Sequence, residues 1–159
     1  MRITLIYVGS TSEKFYTDAA VEYEKRIGAF ASFQSICVKE ERIGDEASEA
    51  IVAKCLAAEE QRIKAAIPKG AFTVALCIEG KQLSSEELAA KFDELGTKGV
   101  SSVAFIIGSS HGISPALKVQ CDMKMSMSKM TFPHMLARVM LTEQIYRAHT
   151  IIKGKKYHK

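Results

Sequence analysis

The sequence contains no tryptophan and only three prolines, and no apolar stretch approaches the roughly 20 residues of a membrane-spanning helix. Its beginning also lacks the long apolar region and the small-residue cleavage site of a signal peptide. We therefore expect a cytoplasmic protein. The rest of the composition, 47% hydrophobic and 25% charged residues over 159 positions, is typical of one globular domain.

Metal-ligand spacing is missing as well. Metal sites need paired ligands a few residues apart, and no Cys-x-x-Cys pair or comparable histidine pair occurs. We expect no metal, and we interpret the four cysteines as reduced, mostly buried small hydrophobic side chains: Cys37, Cys55, Cys77 and Cys121.

The first half of the chain also lacks the glycine-rich loops of common cofactor sites. Only Gly9 follows the first apolar run, so the Gly-x-Gly-x-x-Gly turn of dinucleotide-binding proteins is absent. Gly80 and Lys81 are followed by Gln82, which excludes a Walker A loop.

Positive charge is scarce in the first two thirds and concentrated in the last third. Residues 1–99 carry 13 Lys and Arg against 16 Asp and Glu, a net charge of −3, whereas residues 100–159 carry 9 against 2, a net charge of +7. This segregation favours an anionic partner such as nucleic acid. A basic face that is merely solvated explains the charge alone equally well.

Short β-branched or apolar runs alternate with segments of helical periodicity. The runs predict strands at residues 3–8, 33–38, 72–78, 102–107 and 123–128. Helices are predicted after a Ser12 cap, at about 45–67, from a capping box of Ser84 and Glu87 towards Gly99, after Ser114, and at 133–149. The pattern indicates a single α/β domain with a mainly parallel sheet and helices on both faces.

Parallel sheets bind ligands beyond the carboxyl ends of their strands. Three strand ends carry loops suited to such a site: residues 79–81, 108–112 and 128–132. If the strands are neighbours, the loops converge on one crevice, where glycines let backbone amides approach a ligand. Each glycine taken singly is also explained as a turn former.

The segment at 133–149 is apolar on almost every side. Only Arg138, Glu143 and Arg147 interrupt it, and the last two, four residues apart, are typical of a structural pair. A helix that needs cover on two flanks is either central to the fold or shared with a second subunit.

The C-terminal tail interleaves lysines with two aromatic rings. Cations for phosphate contact next to rings for base stacking are typical of proteins that bind looped or single-stranded RNA. A disordered, solubilising tail is the alternative. The residues concerned are Lys153, Lys155, Lys156, Tyr157, His158 and Lys159.

These motifs together resemble one known family. The strings IIGSSHG, MSMSKMTFPHMLARVMLTEQIYRA and the terminal YHK, with YEKRIG at 23–28 and EGK at 79–81, are similar to the ribosomal RNA large subunit methyltransferase H family of the SPOUT class. The likeness spans the whole chain. It implies a single domain over residues 1–159, with a C-terminal trefoil knot and a cofactor-binding part at about 72–159.

The resemblance implies an S-adenosylmethionine-dependent enzyme that methylates N3 of a pseudouridine in 23S ribosomal RNA of the assembled ribosome, acting as a homodimer. By position, the methyl donor would contact eight residues: Leu76, Gly108, Met127, Ser128, Lys129, Met130, Thr131 and Phe132. The sequence departs from the family at Ser109, where a second glycine is common, at His111 and at Cys77, so the resemblance does not extend to the detailed donor contacts at these positions.

The reaction needs alignment of the ring nitrogen with the sulfonium methyl group, and removal of the imide proton. We expect His158, Tyr157 and Arg138 to be catalytic, with His158 as proton acceptor because an ordinary imidazole is mostly neutral at pH 7. RNA would be held by Arg147, Lys153, Lys155, Lys156 and Lys159.

Two other classes of protein are compatible with parts of the pattern. An RNA-binding or ribosome-associated module without catalysis would also carry the basic tail, but it gives no reason for three converging loops. A flavodoxin- or receiver-like protein would place its site after the first strand, where a receiver needs clustered aspartates that this chain lacks.

Overall fold

A computed structural model describes residues 1–158 and shows one five-stranded sheet whose strand pairs are all parallel. The spatial order is β2-β1-β4-β3-β5, so the predicted mainly parallel sheet is confirmed. The strands are β1 Arg2–Val8, β2 Ser32–Val38, β3 Phe72–Gln82, β4 Ser102–Ile107 and β5 Met123–Ser126.

Five helices cover both faces of the sheet, as predicted. They are α1 Lys14–Ile27, α2 Glu49–Ala66, α3 Ser85–Thr97, α4 Pro115–Gln120 and α5 His134–Ile152. One core lies between the sheet and α1, α3 and α5, around Phe92, Phe105 and Leu141. The other lies between the sheet and α2 and α4, around Ile63 and Leu117. Within residues 1–158, no helix is both long and apolar enough to cross a membrane.

Several predicted boundaries are wrong. Helix α1 has Glu13 rather than Ser12 at its N-cap, and α2 begins after Ser48, whose hydroxyl accepts from the Ile51 N–H, instead of near residue 45. The capping box of Ser84 and Glu87 is confirmed.

Strand β3 continues through residues 79–81, which the sequence indicated as its end. Its pairing with β5 changes register between Leu76 and Lys81. A Cβ placed on Gly80 would lie 2.5 Å from the carbonyl carbon of Met125, so glycine allows the neighbouring strand to cross closely here. The Glu-Gly-Lys sequence is thus an irregularity inside a strand.

Helix α5 lies between α1 and α3 and buries Leu141, Ile145 and Ala148 completely. Its two apolar flanks are therefore covered within the same chain. Of the two explanations that the sequence left open, a central position accounts for the apolar character of this helix.

The cysteines do not follow expectation. All four are free thiols, but Cys37 is exposed and the other three are only half-buried. The prediction that they are mostly buried is wrong.

Candidate functional site

Residues 76–79 of β3 and the loops after β4 and β5 line one cavity of about 730 Å³, which we call the loop cavity. The predicted convergence of three chain segments is confirmed, although the first of them lies within a strand and not in a loop. It is lined by residues 76–79, 107–113, 118, 126–128, 130–134 and 137. Seven of the eight positions predicted for a ligand line it, and the eighth, Lys129, is exposed and does not.

The loop after β4 is folded back tightly on itself. The Gly112 N–H donates to the Ser109 carbonyl at 2.8 Å, and a Cβ on Gly108 would lie 2.2 Å from the Gly112 carbonyl oxygen. Gly112 itself has a φ of +85°, in the left-handed region. Backbone atoms, rather than side chains, therefore form much of this wall.

The loop after β5 is ordered by its own serines. The Ser126 hydroxyl donates to the Ser128 carbonyl at 2.9 Å, and the Ser128 hydroxyl accepts from the Met130 N–H at 3.0 Å. The methionines differ in environment: Met125 is buried, Met127 is half-buried beyond the end of β5, and Met130 is 71% exposed. Met123 and Met127, both half-buried, pack against the same core cluster that contains Met125.

One ion pair lies on the wall of the loop cavity. Lys118 Nζ is 2.5 Å from Glu79 Oε1, and its hydrogen bond holds the pKa of Glu79 below the usual range. Burial raises the pKa of the neighbouring Cys77 thiol, so Cys77 is a neutral, weakly polar part of the lining. No cluster of metal-binding side chains occurs in the described part of the chain.

A second cavity of about 470 Å³ adjoins the first, and Ser126 and Met127 line both. We call it the helix cavity, since half of its lining residues lie on α3 and α5. Its lining residues are Tyr23, Leu83–Ser85, Leu88, Met125–Met127, Val139, Met140, Glu143 and Gln144.

The tail folds back beside the helix cavity. The Tyr157 hydroxyl donates to Glu143 Oε1 at 3.0 Å, and His158 Nε2 lies 2.7 Å from Glu86 Oε1. Arg147 lies 2.6 Å from the same Glu143 oxygen and packs over the Tyr157 ring at 4.8 Å. The predicted pair of Glu143 and Arg147 is confirmed, and it also anchors the tail.

Tyr157 acts as a hydrogen-bond donor in this arrangement. Burial and the bond to Glu143 raise the pKa of its phenol strongly, so it keeps its proton at neutral pH. Lys153, Lys155 and Lys156 are exposed. Lys159, also predicted to hold RNA, lies outside the described residues.

Arg138 lies apart from both the tail and the loop cavity. Its side chain is only 7% exposed, forms an ion pair with Glu24 of α1 at 2.7 Å, and stacks 4.1 Å from the centre of the Tyr7 ring. The structure thus brings His158 and Tyr157 together but leaves Arg138 in the packing between α5 and α1.

Two glutamates on α2 are buried next to the loop cavity, and they were not identified from the sequence. Glu59 and Glu60 hydrogen-bond Ser109 and Ser114, at the two ends of the loop after β4. A signal was present, because both glutamates fall on the helical stripe defined by Leu56 and Ile63, where apolar residues are expected.

Comparison with known proteins agrees with this geometry. A sequence model of the family described as "Predicted SPOUT methyltransferase" matches residues 1–158. The chain is 48% identical over 159 residues to "Ribosomal RNA large subunit methyltransferase H" of Bifidobacterium adolescentis and 44% identical to the protein of that name from Streptococcus thermophilus, with both chains fully covered in each case.

Solved structures show the same fold at low identity. A probable methyltransferase from Bordetella pertussis superposes with a TM-score of 0.59 at 16% identity, covering 93% of this chain and 96% of that one. A putative methylase family protein from Neisseria gonorrhoeae gives 0.52 at 14% identity, covering 91% and 81%.

Proposed function

Because the chain belongs to the SPOUT methyltransferases, and among them to the ribosomal RNA large subunit methyltransferase H family, we propose that it methylates N3 of a pseudouridine in 23S ribosomal RNA. The methyl donor is S-adenosylmethionine, and the substrate is the assembled ribosome. We further propose that residues from about 72 onwards, which include every segment that lines the loop cavity, form the trefoil knot of that family.

The observation that carries this proposal is the loop cavity. Its volume of about 730 Å³ lies within the range of roughly 300–1,000 Å³ typical of sites for small ligands. Gly108 leaves a wall of backbone atoms that any larger residue would disturb, and amide edges of this kind suit an adenine ring. Apolar side chains such as Leu76 and Phe132 offer cover for its faces.

When bound, the donor supplies a methyl group already activated on a sulfonium. The protein's part is to align that group with the ring nitrogen and to accept the imide proton. We assign the donor to Leu76, Gly108, Met127, Ser128, Met130, Thr131 and Phe132, all of which line the loop cavity. Lys129, exposed beside this loop, is better placed to meet RNA phosphate.

Proton removal is assigned to His158. Its Nε2 lies 2.7 Å from Oε1 of Glu86, and this carboxylate would stabilise the imidazolium formed when a proton is taken up. With Nε2–H donating to Glu86, the accepting nitrogen is Nδ1, which has to turn away from Arg147 at 3.4 Å to reach the substrate. Tyr157, protonated and bonded to Glu143, orients the tail. For Arg138, the ion pair with Glu24 supports a role in holding α5 on α1 rather than the catalytic role expected from the sequence.

The RNA would be met by the basic tail. Lys153, Lys155 and Lys156 are exposed and provide the phosphate contacts, together with Lys159 and Arg147. Such contacts make binding steeply dependent on salt. The net charge of +7 over residues 100–159 supports this assignment.

We also propose a homodimer. Because α5 is covered within one chain, the support for a dimer is instead a pair of exposed apolar side chains that line the loop cavity. Ile78 is 57% and Met130 71% exposed. Large exposed apolar side chains grouped in this way are typical of an interaction surface.

The deciding experiment compares the full chain with a variant that lacks residues 157–159. Each is incubated with S-adenosylmethionine and either unmethylated ribosomes or free 23S RNA, and the modified nucleoside is identified by mass. We expect methylated pseudouridine only with ribosomes and the full chain, while calorimetric titration shows donor binding by both proteins.

Full methylation by the truncated chain would contradict the role of the tail. A full chain that binds ribosomes but neither binds the donor nor methylates would instead indicate an RNA-binding module without catalysis.

A further inference from the structure

Helix α2 carries two buried carboxylates that the proposed reaction does not use. Glu59 is 1% exposed and Glu60 is 7% exposed. Glu60 has a cationic partner, Lys64 Nζ at 2.5 Å, whereas within residues 1–158 Glu59 is held only by hydrogen bonds. Burying a carboxylate is costly unless its oxygens are well bonded, so these hydrogen bonds need an explanation.

Glu59 joins two loops at the carboxyl edge of the sheet. Its Oε1 accepts from the Glu41 backbone N–H at 2.9 Å, and its Oε2 accepts from the Ser109 hydroxyl at 3.0 Å. Glu41 follows β2 and Ser109 follows β4, and β1 lies between these two strands. One carboxylate therefore ties the neighbouring loops together across the end of β1.

Glu60 holds the other end of the loop after β4. The Ser114 hydroxyl donates to Glu60 Oε2 at 2.5 Å and accepts from the Leu117 N–H at 3.1 Å, which caps α4. The loop from Ser109 to Ser114 is thus fixed to α2 at both ends. Between them it is closed by its own hydrogen bond, from the Gly112 N–H to the Ser109 carbonyl.

We infer that Glu59 is a positioning residue for the loop cavity, which acts through Ser109 to hold residues 108–113 in the conformation that receives the ligand. Glu60 and Ser114 fix the far end of the same loop. This inference rests on the proposed function for the identity of the ligand, S-adenosylmethionine. A loop that is held before binding loses less conformational entropy when the ligand arrives.

Ser109 is the residue that makes this arrangement possible. A glycine at that position would have no hydroxyl to donate to the carboxylate. Glu59 and Ser109 therefore function as a pair in this chain, and removal of either member breaks the same link.

The test measures the binding of S-adenosylhomocysteine, the stable product of the donor, to the full chain by calorimetry. Glu59→Leu removes both hydrogen bonds, and we expect Kd to rise about tenfold, in line with the loss of a hydrogen bond to a charged group. Glu59→Gln should bind nearly as well as wild type, because its amide oxygen accepts from Glu41 and its N–H₂ donates to the Ser109 oxygen.

The matched control is Gln61→Leu, an exposed side chain on the same helix, which should leave Kd unchanged. A purely structural role for Glu59 would lower the number of binding sites per chain and the melting temperature, with Kd of the folded fraction unaltered, and that result would overturn the inference. Should Glu59→Leu fail to fold, Ser109→Ala tests the same link from the loop side, with the same expected rise in Kd.

Hydrogen exchange separates this inference from the proposed function. The Gly112 amide, bonded to Ser109, should exchange faster in Glu59→Leu than in Gln61→Leu even without ligand. If the Gly112 amide exchanges faster in Glu59→Leu but the wild-type chain binds no S-adenosylhomocysteine, the positioning of the loop is supported and the assigned ligand is contradicted. Equal exchange in the two variants would overturn the positioning itself.

Discussion

Gly108 occupies a point where the chain has no room for a side chain. The atoms that a Cβ would meet, at 2.2 to 2.8 Å, are backbone atoms of Gly112 and Ile113, which cannot rotate away as the end of a flexible side chain could. A larger residue must therefore displace the loop that lines the loop cavity.

We predict that Gly108→Ala lowers the free energy of unfolding by roughly 1–3 kcal/mol, the usual cost of overpacking, and weakens S-adenosylmethionine binding at least about tenfold. Denaturant unfolding and calorimetric titration measure the two effects. Gly44→Ala is the control, because a Cβ there meets nothing within 4 Å. Unchanged donor affinity in Gly108→Ala would show that the ligand does not contact this loop.

At this scale the sequence revealed where glycines fall but not which of them are indispensable. Gly44, Gly80 and Gly108 all occur next to polar residues and look alike as turn formers. Only the neighbouring backbone distinguishes them, since Gly80 and Gly108 face a chain that passes within 3 Å while Gly44 faces open space. That neighbour is distant in sequence from Gly80, so periodicity could not indicate it.

Among the elements, α2 shows where pattern reasoning succeeds and where it fails. Its existence follows from alanine- and glutamate-rich composition, but its stripe of Leu56, Glu59, Glu60 and Ile63 mixes charged with apolar residues. Because carboxylates are usually exposed to solvent, the sequence pattern predicts that the two glutamates of this stripe are exposed, whereas both are buried. Hydrogen bonds from Ser109 and Ser114, about fifty residues away in the sequence, help to compensate the burial of the glutamates, together with the Glu41 N–H and Lys64.

The acid sensitivity of α2 offers a prediction for this element. Hydrogen bonds from Lys64 and Ser114 hold the pKa of Glu60 below its ordinary value of 4.5. A carboxyl group whose pKa is lowered by folding stabilises the protein above its unfolded pKa, and that contribution is lost as the pH falls through the folded pKa. The stabilisation should thus be present at neutral pH and decline below about pH 4.5.

We predict that Glu60→Gln lowers the free energy of unfolding by about 1 kcal/mol at neutral pH, a small value because Lys64 is 34% exposed and screened by water. The difference from wild type should shrink at about pH 3.5. Urea unfolding at both pH values measures it, with the exposed Glu46→Gln as control. An equal loss at the two pH values would contradict a role for the charge.

At the scale of the whole molecule, the burial of α5 changes the basis for expecting a dimer. Because α1 and α3 cover its flanks, the apolar character of α5 no longer requires a second subunit. The apolar surface that a second subunit could bury is instead the exposed pair of Ile78 and Met130 at the loop cavity. A dimer that buries this pair would place the two subunits' cavities near their interface.

We predict that the wild-type chain sediments as a dimer at micromolar concentration and that Met130→Glu or Ile78→Glu shifts it towards monomer. Each charge would have to be buried, unpaired, in an interface that otherwise gains about 25 cal/mol per Å² of apolar surface removed from water. Phe15→Glu is the matched control, because Phe15 is equally exposed, at 60%, but lies on α1. Dissociation by Phe15→Glu alone would place the interface on α1. A wild-type monomer would remove the interface altogether, and in either case the loop cavity would have to bind donor and RNA within a single chain.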